Sequence, residues 1–250
     1  LENNPQLNGI FTCWEPNGFD GNDAGFQGVD YHDASGRFAL YLRRDAKGQI
    51  EVLPLLAQPG RAKDGQPGAW YANAAKSRKP YLSDPFSDTA GGAPGQTITL
   101  TTPILVKDMV FGVIGVDLNV DFIQKRVDDL QEGYGKMQAS IVSYNGILAG
   151  VSGSPDLAGQ HLKALHPDYE EDLAQIRSGE EVSMVMDDRL ETYVPIRING
   201  NENPWSANIL VPLSVLAGDA TAAMWKMTFI GLACVTIALF LLRYITAGVV

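Results

Sequence analysis

From Met227 to Leu242 the chain reads MTFIGLACVTIALFLL without one charged residue, and no other stretch constrains its folding so strongly. Extended through Ile245 or back to Ala222, the run reaches the ~20 residues that an α-helix needs to cross a bilayer. Trp225 and Lys226 stand at one end and Arg243 and Tyr244 at the other, the aromatic and snorkelling residues expected where a helix leaves hydrocarbon. A buried core helix would keep a polar face and would not be bracketed by cations. The sequence therefore predicts a transmembrane helix over 219–245. The formal net charge of −10 over 250 residues suits placement of the acidic part outside the positively charged cytoplasmic side. The same charge argues against nucleic-acid binding, which needs clustered Lys and Arg. The chain starts at Leu1 rather than Met, and it reads as a fragment whose N-terminal anchor lies before it. Cys13 and Cys234 are the two cysteines; one sits in the polar part and one in the apolar run, so no disulfide between them is expected.

The residues before the span alternate in the manner of antiparallel sheets. GIFTCWE and RFALYLRR read as strands around a loop dense in Gly, Asn and Asp. In that loop Asp20, Asn22 and Asp23 lack the further oxygen ligands of a calcium loop and read as turn formers. A hairpin is expected at Asp45 to Gly48, and another joins QTITLTTPILV to MVFGVIGVDLNV through Lys107 and Asp108. AWYANAAKSRKPYL begins as a short helix, and DFIQKRVDDLQEG carries helical apolar spacing at Phe122, Ile123, Val127 and Leu130. The second half repeats the scheme with a hairpin at Asn145-Gly146, a helix near HPDYEEDLAQIRSG, and the strands EEVSMVMDDRLETYVPIRI and WSANILVPLS. Two tandem α+β units with antiparallel sheets follow.

These segments together resemble the double Cache sensor domains of bacterial transmembrane receptors, most closely those of methyl-accepting chemotaxis proteins. The residues carrying the resemblance are WEPNGFDGND and HDASGRF, the Trp70-Tyr71 pair, PYLSDPF, and TTPILVKDMVFGVIGVDLNVDFIQ; NGILAGVSGSPDLAGQHL and PWSANILVPLS look like the second module. The resemblance implies two PAS-like modules: a membrane-distal one over 1–120 that holds a small polar ligand, and a membrane-proximal one over 121–218. It implies that 246–250 begin a cytoplasmic linker, that the chain is a periplasmic sensor on the inner membrane, and that it works as a homodimer with a signalling domain in cis beyond Val250. A histidine kinase or diguanylate cyclase output, or a ligand-free tethered scaffold, are the alternatives.

Members that bind amino acids use an Arg two residues before the Trp-Tyr pair for the carboxylate and an Asp in the Gly-Val-Asp strand for the ammonium. Trp70, Tyr71 and Asp117 match, whereas Gly68 occupies the Arg position, leaving Arg61 or Lys63 as substitutes if their loop folds back. Aromatic faces and a carboxylate hold a cation well, so an amine, a quaternary ammonium or an amino-acid-like ligand is expected. Tyr81, Asp84 and Phe86 complete the expected wall, with Glu15 and Trp14 as weaker candidates. Asp117 is expected to face the pocket unengaged, so that its replacement by Ala weakens binding and spares the unliganded fold. No enzyme is expected, and no cofactor or metal. His32, His161 and His166 lack partners at metal-ligand spacing; Gly91, Gly92 and Gly95 precede a strand rather than a helix; Ser152 and Ser154 lack a nucleophile-elbow pattern.

Overall fold

The protein was analysed as a computed structural model. It describes residues 1–4, 6–45, 47–58, 60–63, 66–88, 95–134, 136–165, 169–186, 188–197, 200–216, 224–230, 232 and 236. In chain order come β1 (Leu7–Trp14), β2 (Ala39–Arg44), β3 (Ile50–Pro54), β4 (Ala62–Lys63), β5 (Gln66–Pro67), α1 (Ala69–Ser77), β6 (Tyr81–Leu82), β7 (Phe86–Asp88), β8 (Gly95–Val106) and β9 (Met109–Asn119). Then follow α2 (Asp121–Tyr134), β10 (Gln138–Val142), β11 (Leu148–Val151), α3 (Tyr169–Ser178), β12 (Val182–Met186), β13 (Arg189–Ile196) and β14 (Trp205–Pro212).

The N-terminal sheet has the order β3-β2-β1-β9-β8-β6, with β7 also on β8; the C-terminal sheet runs β11-β10-β14-β13-β12. Pairing in both is antiparallel, as the alternation predicts. Lys107 and Asp108 both take positive φ, 49° and 63°, the two-residue turn geometry whose twist matches its strands. Gly146 supplies the positive φ of the second predicted hairpin turn.

Period-two alternation sorts each strand of the N-terminal sheet between two faces. Phe11, Cys13, Ala39, Tyr41 and Val113 point to the side covered by α1, where Trp70, Tyr71 and Ala74 close a buried core. On the opposite side Ile98 joins Leu82, Val120, Ile123, Ala149 and Trp205 in a second core. That cluster draws on both sheets and on α2, so the two halves share buried apolar contacts. A third core, around Leu148, Leu162, Ile176 and Tyr193, lies between α3 and the C-terminal sheet.

Most of the predicted membrane span, the end of the chain at 246–250, and Cys234 lie outside the described residues. Met224 to Ile230 are helical, with Met227, Phe229 and Ile230 well exposed. Among the described residues no helix is long and apolar enough to cross a membrane.

Candidate functional site: a buried charge pair under an aromatic roof

The floor of the site is set by strand register. Asp117 of β9 stands between Thr99 of β8 and Gly9 of β1. A Cβ on Gly9 would lie 2.3 Å from the Tyr41 ring, and one on Gly115 would lie 2.3 Å from the Phe11 ring. Both glycines therefore exist as clearance for the aromatic side chains beside Asp117, since Cβ contacts that short are excluded by packing.

Arg61 enters this floor from the turn before α1. Its amide donates to Gln58 O at 3.1 Å, and its carbonyl accepts from both Gly68 N and Trp70 Nε1 at 3.0 Å. The Trp70 indole thus pins the Arg61 backbone. The guanidinium then lies 5.0 Å from the Phe11 ring centroid and 4.9 Å from that of Tyr41, and its Nη2 donates to Asp117 Oδ2. The other carboxylate oxygen, Oδ1, accepts from Thr99 Oγ1 at 2.6 Å. Asp117 is 0% exposed and Arg61 4%. A buried carboxylate and a buried guanidinium are tolerable only because each satisfies the other.

The expectation of an unengaged Asp117 is corrected by this geometry. The carboxylate is held by Arg61 and Thr99, because an isolated charge at such depth would be driven to neutralise. Trp70 and Tyr71 roof the same core, and Trp70 meets Phe11 edge-on at 4.9 Å. The Tyr71 hydroxyl donates to Glu15 Oε1, and burial, reinforced by that carboxylate, pushes the phenol well above its ordinary pKa. Trp14 turns away, packing against Phe19.

Tyr81 and Asp84 lie toward the other half of the chain. Tyr81 packs at the edge of the aromatic core; its phenol is raised by burial, opposed by a hydrogen bond with Asn73. Asp84 accepts from Asn145 Nδ2 of the C-terminal half at 2.8 Å. Tyr41, Phe11 and Thr99 were not singled out in the sequence. The run of alternate threonines at 97, 99 and 101, all buried, with Thr99 opposite Asp117, was the available signal.

Elsewhere, the Asp23 carboxylate is engaged by the Asn17 amide at 2.7 Å, as befits a turn former. His32 stacks on Phe26, and His161 caps a short 3-10 turn through Lys163 N. His166, Gly91, Gly92 and the Lys63 side chain lie outside the described residues. Among those described, no group of three or more His, Cys, Asp or Glu side chains is placed to hold a metal.

Comparison with known proteins agrees with this architecture. The methyl-accepting chemotaxis protein TlpQ of Pseudomonas aeruginosa is 29% identical over 234 residues, covering 89% of this chain and 32% of its own. The chain thus spans about a third of the length of that relative. An extracellular domain assigned to a histidine kinase, mmHK1S-Z3, superposes with a TM-score of 0.70 at 23% identity, over 88% of this chain and 79% of that one. The periplasmic sensory domain of the Campylobacter jejuni chemoreceptor Tlp1 gives 0.58 at 18% identity, over 86% and 76%. The sequence profile for the first PDC sensor domain of methyl-accepting chemotaxis protein-like receptors matches residues 1–125. Two antiparallel α+β sheets, a charge pair under an aromatic roof, and a profile match over half the chain lead to one assignment: the chain belongs to the methyl-accepting chemotaxis protein-like PDC sensor family.

Proposed function

We propose that this chain is the extracytoplasmic ligand sensor of a chemotaxis receptor, and that an amine or amino-acid-like molecule binds at Asp117 under Trp70 and Tyr71. The observation that carries the reading is the Arg61–Asp117 pair, buried between the Phe11 and Tyr41 rings. A ligand ammonium takes the place of the guanidinium at Asp117 and keeps the aromatic faces that favour cations. A zwitterion does more, because its carboxylate meets the displaced Arg61 and two satisfied pairs replace one. Arg61 thereby supplies the carboxylate partner that Gly68 cannot. Since Arg61 is stapled to Trp70 at the start of α1, partner exchange shifts the helix that roofs the site. In the receptor this displacement passes to the C-terminal half and then to a helix across the inner membrane, within a homodimer whose signalling domain lies in cis.

A melting screen of amines and amino acids tests the reading, since a ligand at a hundredfold excess over Kd stabilises by about 2.7 kcal/mol. Asp117→Asn keeps the Thr99 contact but removes the charge, and it should weaken any ligand at least tenfold. Arg61→Met should weaken amino acids while leaving simple amines unaffected or tighter. A library without a single stabilising amine or amino acid would overturn the sensor site in favour of a ligand-free scaffold.

A further inference from the structure

Away from the buried pair, a cleft of about 380 Å³ opens between the end of α1 and the 200–203 loop, with Asn73, Lys76, Lys79, Tyr81, Asn201 and Asn203 among its walls. Its size lies within the ~300–1,000 Å³ of small-molecule sites, which favour boundaries between units. One wall comes from each half of the chain. The approach is fixed by Gly200, whose φ of +84°, and the 2.8 Å at which a Cβ there would meet Pro80 Cδ, disfavour any larger side chain.

The charge of this cleft runs against that of the protein. Between Ala69 and Ser83 the sequence has three cations, Lys76, Arg78 and Lys79, and no acid, in a chain of net charge −10. Lys79 is paired across the cleft with Glu202. Both partners are largely exposed, so the pair is a weak and openable clasp. The Lys76 ammonium and the Asn203 carboxamide, one from each wall, make no hydrogen bond or ion pair among the described residues. They are donors awaiting an acceptor, and the Pro80 and Tyr81 side chains offer an apolar surface beside them.

We propose that this cleft is a second ligand site and that it takes a small carboxylate-bearing molecule. The carboxylate accepts from Lys76 and Asn203, and its carbon skeleton lies on Pro80 and Tyr81. Such a ligand bridges the end of α1 to the C-terminal half, the same helix whose start is stapled to Arg61. The site shares only Tyr81 with the expected amine pocket and differs from it in charge preference.

Titration of the purified protein with malate, pyruvate and citrate, read by melting and calorimetry, tests this. At least one should bind, and Lys76→Ala or Asn203→Ala should each weaken it tenfold or more, about 1.4 kcal/mol, without changing affinity for amines. Binding abolished by Arg61→Met but untouched by Lys76→Ala would place the carboxylate at the buried pair and overturn the proposal. So would the absence of any carboxylate-dependent shift. If Lys76 only complements the negative end of the α1 dipole, its replacement lowers the melting temperature equally with and without carboxylate, which also refutes the site.

Discussion

Replacing Asp117 by Ala removes one member of a fully buried ion pair, and the cost can be assembled from its contacts. A unit-charge contact at an effective dielectric of ~20 is worth about 4 kcal/mol. The Thr99 hydroxyl also loses its acceptor, and stranding a buried donor costs roughly 1–3 kcal/mol. Arg61 keeps its two aromatic faces and its hydrogen bond to the Tyr41 hydroxyl in both forms, so these leave the cost unchanged, while water entering the vacated space offsets part of it. The balance lies at the lower end of the ~3–5 kcal/mol typical when one partner of a buried pair is deleted. Urea unfolding of the unliganded protein should therefore show Asp117→Ala destabilised by about 3 kcal/mol, with Asp117→Asn intermediate. Paired replacement of Arg61 by Met and Asp117 by Leu should recover most of the loss, because the stranded charge disappears with its partner. A stability change below about 1 kcal/mol in Asp117→Ala would refute the view that the pair is satisfied internally before ligand arrives.

Two further expectations rest on titrating groups. Burial pushes the Cys13 thiol up to about 12, and the side chain is inaccessible, so at about pH 8 the Cys13 peptide should resist maleimide in the native state and react only after denaturation; prompt native labelling would contradict that burial. Tyr71, Tyr81 and Tyr193 all have phenols raised by burial, with Glu15, Asp84 and Asp172 respectively adding to the rise. A group whose folded pKa exceeds its unfolded value stabilises fully below the unfolded value, near 10 for tyrosine, and that contribution is lost as pH rises above it. The urea midpoint should consequently fall steeply above about pH 10, and replacing all three by Phe should flatten the fall; an unchanged alkaline slope in the triple variant would refute this assignment.

Local chemistry made much of this fold legible. The Lys107-Asp108 and Asn145-Gly146 turns, the amphipathic spacing of α2, and the alternation of β8 and β9 each follow from neighbours in sequence. Trp70, Tyr71 and Asp117 were named through the family resemblance, and Asp117 also by standing between Val116 and Leu118 in an apolar strand. Arg61 was legible only as one of two substitutes, with Lys63, because it lies in a polar stretch without periodicity and reaches Asp117, 56 residues away, through a turn whose Arg61 carbonyl is held by Gly68 N and the Trp70 indole. The Asp84 contact was hidden for the same kind of reason: its partner Asn145 is 61 residues distant, and nothing near Asp84 announces a contact between halves. Engagement of Asp117 was hidden too, because alternation shows which face a side chain takes but not what already occupies that face.

The apolar junction of Leu82, Ile98, Val120, Ile123, Ala149 and Trp205 bears on how such sensors can be transplanted. A graft cut at the end of β9 would carry Leu82 and Ile98 away from Val120, Ile123, Ala149 and Trp205, exposing two sticky half-surfaces that fit only each other. Swapping the first unit between receptors then succeeds only where the recipient supplies a matching underside. Hybrid receptors are better spliced below β14, where the whole two-sheet body travels as one piece and its seam stays closed.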